Sequence, residues 1–281
     1  MRRIKKAFIE ITSSCNLACP FCPGAVRPAA FMSERGFAAV LDNLGGGAQS
    51  LYFHIMGEPL LHPKLGALLG IAAHAGLPVN ITTNGTLLSQ AGEALLGEAA
   101  PRQVSISLHS MLEYDEKYMD GVLRFARAAR ASGRTLVALR LWNEGWGDPQ
   151  ITAAVTARLA REFGLKGDLS DAPTGNRGIT LASGIYLNRA KTFAWPDMDG
   201  EDFGESGFCM GLRDQIGILC DGTAVPCCLD GRGAVPLGNI FNQNLEEILN
   251  GERAQRLYEG FARRKAVEEL CRRCGYRKRF G

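Results

Sequence analysis

The chain has 281 residues, 46% of them hydrophobic and 22% charged, so it can form one large domain and a small one without dominant disorder. Its 32 basic and 29 acidic residues give a net charge of +3, which argues against nucleic acid as a partner. The sequence has no apolar run long enough for a membrane span and no signal-peptide pattern. We therefore expect a cytoplasmic protein, and in that reducing compartment its nine cysteines favour metal binding over disulfides.

Short apolar runs alternate with helical patterns through the first part of the chain. Strands are predicted at 8–12, 51–55, 79–83, 103–108, 135–142 and 165–169. Helices are predicted at 33–44, 64–75, 86–98, 113–132 and 151–163. This alternation with short links predicts a parallel sheet covered by helices. Such sheets bind ligands at the carboxyl ends of their strands, where we expect the functional residues.

The cysteines divide the chain into two regions. Three lie between residues 15 and 22, and six lie between residues 209 and 274. The segment 171–202 is rich in glycine and proline and indicates a linker or a lid. We predict two domains, 1–195 and 196–281, with one thiolate cluster in each.

The second region shows a hairpin pattern followed by a helical one. Asp221-Gly222 stands between the apolar runs 216–219 and 223–225, which predicts a β-hairpin. Residues 244–267 are mostly helical by pattern.

Cys15, Cys19 and Cys22 lie in one loop after the first predicted strand, spaced by three and then two residues. Thiolates favour soft metals, and iron–sulfur clusters are commonly held in this way. Three ligands leave one iron of a [4Fe–4S] cube open, and catalysis at a metal needs an open position. A structural zinc site, which would need a fourth ligand nearby, is the alternative.

This loop resembles the hallmark of the radical S-adenosylmethionine (SAM) superfamily, in which three cysteines with this spacing follow the first strand. The resemblance implies an α/β fold with a partial (βα)6 TIM-like barrel. It implies that the open iron binds the amino and carboxylate groups of SAM, and that one electron cleaves SAM to a 5′-deoxyadenosyl radical. It also implies a flavodoxin- or ferredoxin-type electron donor, and Phe21 would lie against the adenine.

The turn after the second predicted strand extends the resemblance. The family usually has Gly-Gly-Glu-Pro there, and this chain has Met56-Gly57-Glu58-Pro59. A backbone carbonyl and a carboxylate can both accept from an ammonium group, which suits Gly57 and Glu58 to the amino end of SAM. A strand-ending turn with a surface glutamate is the alternative.

Polar residues near the ends of the later strands are further candidates for cofactor binding. Asn84 either binds the cofactor or forms an ordinary Asn-Gly turn. Ser107 and His109 alternate onto one strand face, where relatives often place a residue near the SAM ribose, and His109 is either catalytic or structural. Arg140 lies in an apolar strand and should meet a carboxylate of SAM, of the substrate or of the protein. His54 is likewise either barrel-facing or structural.

The second cysteine group resembles the shortened "twitch" form of the SPASM domain found after radical SAM barrels. The resemblance implies that the small C-terminal α+β domain holds an auxiliary [4Fe–4S] cluster, so that the chain uses two such clusters and SAM. The ligands it implies are Cys209, Cys227, Cys271 and Cys274.

Several features of this region leave alternatives open. Four cysteines in isolation also suit zinc. Cys220 and Cys228 are either packing residues or a hydrogen-atom donor or alternative ligand. The basic run 272–279 is either a solvated tail or a positive field near an anionic cluster or substrate.

Four protein ligands leave no open iron on an auxiliary cluster, so it can carry electrons but does not readily bind substrate. We therefore expect a dehydrogenase-like two-electron oxidation of a small-molecule or peptide substrate, in which His109 and Arg140 are the candidate catalytic residues. Relatives of this architecture include alcohol dehydrogenases of aminoglycoside assembly and sulfatase-maturing enzymes.

Three other functions remain as alternatives. Epimerisation would use a cysteine such as Cys220 or Cys228 to return a hydrogen atom. Peptide crosslinking would favour a peptide-binding segment before the barrel, but the first strand is predicted to begin by Phe8. An iron–sulfur electron-transfer protein would bind clusters without cleaving SAM, and would leave Gly57-Glu58 unexplained.

Overall fold

The computed structural model describes residues 3–24, 27–167, 169–171 and 178–280. The chain forms two compact units, one of Met1–Val79 with Phe193–Gly281 and the other of Asn80–Thr192. Both predicted cysteine clusters therefore belong to the first unit. The predicted division into domains at residue 195 stays a prediction.

The elements of the described residues follow in chain order. The strands are β1 (Ile4–Ile9), β2 (Ala48–Phe53), β3 (Val79–Thr83), β4 (Pro101–Ser107), β5 (Leu136–Glu144), β6 (Ile179–Ala182), β7 (Ile185–Lys191), β8 (Gln215–Ile218), β9 (Thr223–Val225) and β10 (Gly238–Asn239). The α-helices are α1 (Glu34–Leu44), α2 (Leu65–His74), α3 (Leu88–Gly97), α4 (Glu116–Ser132), α5 (Pro149–Phe163), α6 (Leu245–Asn250), α7 (Glu252–Ala262) and α8 (Glu269–Arg272). Short 3₁₀ turns lie at Pro59–Leu61, Leu108–Ser110, Leu169–Asp171 and Gly275–Phe280.

In the first unit the strands are ordered β10-β9-β8-β1-β2. β1 lies parallel to both of its neighbours, so that Ala7 pairs with Leu51 of β2 and with Ile216 of β8. β8 and β9 are antiparallel and form the predicted hairpin, with Gly222 in its turn at a φ of +83°. The strand that leads into the first cysteine loop is thus paired directly with the hairpin that precedes Cys227.

In the second unit the strands are ordered β3-β4-β5-β7-β6. β5 lies parallel to β4 and to β7, and β6 returns antiparallel to β7. Side chains begin the two longest helices, since Asp115 accepts from the N–H of Tyr118 before α4 and Asp148 accepts from the N–H of Gln150 before α5. These caps fix where each helix begins after the preceding strand.

Two predicted helix starts coincide with a capping side chain. Ser33 accepts from the N–H of Gly36 at the start of α1, as predicted. Asn244 and Glu247 form a reciprocal capping box at the start of α6. The predicted helix 244–267 is nevertheless wrong in its extent, because an extended residue at Gly251 separates α6 from α7.

The predictions for the first strand, for a strand at 165–169 and for the segment 171–202 are also wrong in part. β1 begins at Ile4 and ends at Ile9, whereas the prediction began at residue 8, because the exposed Lys5 and Lys6 hide the strand's apolar pattern. No strand lies among the described residues of 165–169. The segment 171–202 is not irregular throughout, because it contains β6 and β7, and its residues 172–177 lie outside the described part of the chain. β7 is defined by pairing with β5, which no local pattern reveals.

Within the described residues, no helix is both long and apolar enough to cross a bilayer.

Candidate functional site

The first cysteine loop follows β1 and brings its three thiols together. Cys15 is exposed, while Cys19 and Cys22 are half-buried, and the N–H of Cys22 donates to the carbonyl of Cys19 at 3.0 Å. Burial raises the pKa of Cys19 to about 11, and the charges of Cys22 and Cys15 add to the rise. Burial also raises the pKa of Cys22. A cation bound at this loop would offset the cost of ionising Cys19 and Cys22 and would stabilise them as thiolates.

The Gly57-Glu58 turn is held directly against this loop. The N–H of Glu58 donates to the carbonyl of Ser14 at 2.8 Å. Gly57 has a φ of +76°, and a Cβ there would overlap the carbonyl oxygen of Thr12. Glu58 is buried, and its Oε1 accepts from the N–H of Leu60 at 3.0 Å, so it also begins the 3₁₀ turn. The predicted role of this turn at the amino end of SAM stays a prediction.

An apolar cluster lies beside the loop. It consists of Phe8, Ile55, Met56, Leu219 and Val225. Met56, the departure from the family's glycine, is buried against Gly231, where a Cβ would lie 2.6 Å from Met56 Cγ. Cys22 and Cys228 both pack against this cluster. A residue of the first cysteine loop and the residue next to Cys227 therefore contact the same apolar cluster.

A buried ion pair that the sequence analysis missed joins three segments of the first unit. Glu10 is completely buried, and its Oε2 accepts from Arg27 and, at 3.1 Å, from the N–H of Cys220. Arg27 also donates from Nε to the carbonyl of Gly231 at 2.8 Å. The Cys220 thiol donates to the carbonyl of Glu10 at 3.0 Å. The charge of Glu10 inside an apolar strand was the signal that could have predicted such a pair.

The second unit contains four of the predicted site residues. Asn84 is buried, and its Oδ1 accepts from the N–H and hydroxyl of Thr86 at 3.0 and 2.7 Å, so it forms a turn. Ser107 pairs with Arg140 across β4 and β5. The Arg140 guanidinium stacks 3.5 Å from the ring centroid of Trp142 and donates to Thr82 Oγ1 at 3.4 Å. The carboxylate expected to face Arg140 stays a prediction.

His109 lies beside Arg140, and its ring is held in one tautomer. Nδ1 lies 3.0 Å from the carbonyl oxygen of Arg140, and because a carbonyl only accepts, Nδ1 carries the proton. Burial, together with the smaller effect of the Arg140 charge, lowers the pKa of His109 to about 4. His109 is therefore neutral at neutral pH. It lines a cavity of about 40 Å³ with Asn143 and Trp146, which has room for water but not for an organic substrate.

The second cysteine group converges from three parts of the first unit. Cys209 precedes β8, Cys227 follows β9, and the last two cysteines lie in and just after α8. Burial raises the pKa of all four thiols, and electrostatic interactions among them add to the rise at three of them. The four thiols that the structure brings together are Cys209, Cys227, Cys271 and Cys274.

Neither cysteine group forms a closed site for a single ion. Among the residues that the structure describes, no three histidine, cysteine or acidic side chains are arranged to hold one metal ion. In a four-iron cube each cysteine binds its own iron, so the thiolates stand apart at the corners. The two groups, with three and four soft ligands, are of the kind that holds iron–sulfur cubes.

Two family models match the chain. The model described as the radical SAM superfamily matches residues 9–143, and SPASM, described as an iron–sulfur cluster-binding domain, matches residues 209–275. This chain belongs to the radical SAM superfamily. The chain therefore uses SAM and iron–sulfur clusters, a main one and an auxiliary one.

Two curated radical SAM proteins are similar over most of this chain. The mycofactocin maturase MftC of Mycobacterium ulcerans is 25% identical, and the match covers 83% of this chain and 66% of the maturase. The chain therefore spans just under two thirds of that protein. The PqqA peptide cyclase of Gluconobacter oxydans is 28% identical, with 96% of this chain and 82% of the cyclase covered.

The fold of a solved radical SAM structure confirms the predicted fold class. The crystal structure of BtrN in complex with AdoMet and 2-DOIA superimposes with a TM-score of 0.63 at 18% identity, covering 98% of this chain and 94% of BtrN. The chain thus has the α/β fold of these enzymes, with a parallel-sheet core and a C-terminal SPASM region. The SAM-contacting role of Phe21 and the other site assignments stay predictions.

Proposed function

We propose that this radical SAM protein catalyses a two-electron oxidation of a small-molecule or peptide substrate and passes one electron to an auxiliary cluster. The observation that carries the proposal is the group of four half-buried cysteines. Four protein ligands would occupy every iron of a cube, so such a cluster could transfer electrons but would not bind substrate. When bound, the first cluster supplies the electron that cleaves SAM to a 5′-deoxyadenosyl radical.

The chain's own residues divide this task between two groups. Cys15, Cys19 and Cys22 would hold the first cluster, and the exposure of Cys15 leaves that side of the loop open to SAM. Gly57 and Glu58 would meet the amino end of SAM at the edge of the same loop. A flavodoxin- or ferredoxin-type protein is the electron donor that we propose.

Epimerisation is less well supported. The Cys220 thiol is buried and donates to the Glu10 carbonyl, so it is committed to the protein's interior. Cys228 stays the candidate hydrogen donor for that reaction, since it is only half-buried.

A peptide is the better supported of the two proposed substrate classes. It is favoured by the similarity to a mycofactocin maturase and to a PqqA peptide cyclase. A peptide substrate keeps the proposed roles of the two cysteine groups. Only the oxidised molecule differs from the small-molecule case.

The test uses reconstituted, reduced enzyme with SAM in D₂O. Separate reactions contain either peptides or polyols and amino alcohols as candidate substrates. Oxidation predicts a product two hydrogen atoms lighter, formed with one 5′-deoxyadenosine each. Cys227→Ser is expected to keep SAM cleavage and lose that product. A product of unchanged oxidation state that carries solvent deuterium would instead establish epimerisation.

A further inference from the structure

The guanidinium group of Arg277 occupies a position that is unusual for a cation. Only 6% of the residue is exposed, although it lies in the basic run that ends the chain. Its Nε donates to the carbonyl of Cys271 at 3.1 Å, its Nη2 donates to the carbonyl of Gly204 at 2.7 Å, and its Nη1 donates to the carbonyl of Ser206. Each partner is a neutral carbonyl, so these bonds satisfy the donors without neutralising the charge.

The neighbouring arginines are paired quite differently. Arg272 forms an ion pair with Asp202, and Arg273 forms one with Glu269. Within the described ranges, the structure places no carboxylate at ion-pair distance from Arg277. Because burying a cation without an opposite charge is expensive, Arg277 needs an anionic partner of another kind.

The chain also makes room for this side chain. Gly207 has a φ of +141°, and a Cβ there would overlap Nη1 of Arg277. Gly207 lies two residues before Cys209, and Arg277 lies three residues after Cys274. The guanidinium thus joins the backbone of Cys271 to that of residues 204–207, the segment that leads to Cys209. The space beside Gly207 and the guanidinium that fills it therefore lie next to segments that carry cysteines of the second group.

We propose that Arg277 is the buried counter-charge of the auxiliary cluster and raises its reduction potential. This inference rests on the proposed function, in which that cluster accepts an electron. A four-iron cluster with four thiolates is anionic and becomes more so on reduction, so a fixed cation nearby favours the reduced state. Net charge and burial are among the factors that set such potentials. Arg277 would thus act through the cluster, by means of its charge, and would not contact the substrate.

The test measures the potential of the auxiliary cluster alone, in a background with Cys15→Ala, Cys19→Ala and Cys22→Ala. Redox titration is followed by electron paramagnetic resonance, so SAM cleavage plays no part in the readout. In that background Arg277→Met is expected to lower the reduced-to-oxidised ratio at fixed potential roughly tenfold or more, about 59 mV for one electron. Arg277→Lys should recover at least half of that shift on a logarithmic scale.

Lys278→Met is the matched control, because it removes one positive charge from an exposed residue directly beside Arg277. Its ratio is expected to change by less than about twofold, since solvent screens an exposed charge. Equal potentials for Arg277→Met and the background protein, with the cluster loaded in both, would overturn the inference and leave the proposed function standing. If Arg277→Met does not load iron, the potential of Arg277→Lys decides. A potential close to that of the background protein supports the inference, because lysine keeps the positive charge. A potential about 59 mV lower, as expected if the charge were lost, contradicts it. A background protein that binds no cluster would overturn both proposals.

Discussion

Gly57 controls how closely the Glu58 turn approaches the first cysteine loop. Its positive φ favours glycine, and a Cβ there would overlap the Thr12 carbonyl and lie 2.9 Å from the Ser14 carbonyl. Both carbonyls belong to the loop that carries Cys15. Any side chain at position 57 would therefore push the turn away from the cysteines.

We expect Gly57→Ala to weaken SAM binding to the reconstituted enzyme by roughly tenfold or more, because backbone strain and overlap both displace Glu58. The measurement is a SAM titration followed by the change in the spectrum of the reduced first cluster. Gly70→Ala is the control, since a Cβ at Gly70 within α2 meets nothing within 4 Å and alanine suits a helix interior. An unchanged SAM affinity in a Gly57→Ala protein with full clusters would contradict this role.

His109 is expected to make the protein less stable in mild acid. Burial lowers the pKa of His109 from 6.5 to about 4, so between these values the unfolded chain binds a proton that the folded one does not. The stability that this histidine contributes is therefore present above pH 6.5 and is lost as the pH falls towards 4.

The measurement is the free energy of unfolding by denaturant at a series of pH values. His109→Gln should lose less stability than wild type between pH 6.5 and 4. His74→Gln, which changes an exposed histidine in α2, should follow wild type. Parallel curves for His109→Gln and wild type would mean that His109 is not buried in its neutral form.

Among the elements, the β8–β9 hairpin has the clearest consequence for the auxiliary site. Its turn residue Gly222 has a φ of +83°, and a Cβ there would lie 2.5 Å from Phe241 and 2.6 Å from Asn239 Oδ1. The hairpin pairs with β1 and carries Cys227 just beyond β9. Distorting the turn should therefore move Cys227, a proposed ligand of the auxiliary cluster.

Gly222→Ala is expected to lower the iron content from about eight towards about four per chain, as the loss of one cube requires. Iron and sulfide analysis after anaerobic reconstitution measures this. Gly121→Ala is the control, because a Cβ at that position in α4 meets nothing within 4 Å. If Gly222→Ala bound a full complement of iron, the hairpin geometry would not be needed for the auxiliary cluster.

The same elements show what the sequence could predict. The Asp221-Gly222 turn and the starts of the helical patterns at Ser33 and Asn244 are local, and each was predicted from neighbouring residues. β7 was missed because it is defined by pairing with β5, some forty residues away in the chain. The cysteine spacing predicted both thiol groups because it is written into the sequence.

For the buried charges too, the need for a partner could be predicted from the sequence, but the partner itself could not. A charge in an apolar strand can be predicted to need a partner, and this argument applies to Glu10 as much as to Arg140. The partners of Glu10 could not be predicted, because the pairing of β1 with β8 brings Cys220 next to it across 210 residues of sequence. Arg277 likewise depends on carbonyls more than 70 residues away.

On the scale of the whole molecule, the first compact unit contains every cysteine of both groups. Cys22 and Cys228 pack against the same apolar cluster, which therefore contacts a segment of each group. This arrangement suits a protein in which one cluster starts the reaction and the other receives an electron at its end. The central claim is that two clusters work together in one SAM-cleaving enzyme.

The most direct test is anaerobic reconstitution with iron and sulfide, then reduction with SAM present and chromatography for 5′-deoxyadenosine. Iron is measured for wild type and for the variant with Cys15→Ala, Cys19→Ala and Cys22→Ala. We predict 5′-deoxyadenosine from wild type only, with about eight irons per chain in wild type and about four in the variant. Full, reduced clusters that neither cleave SAM nor change their spectrum when SAM is added would contradict the account.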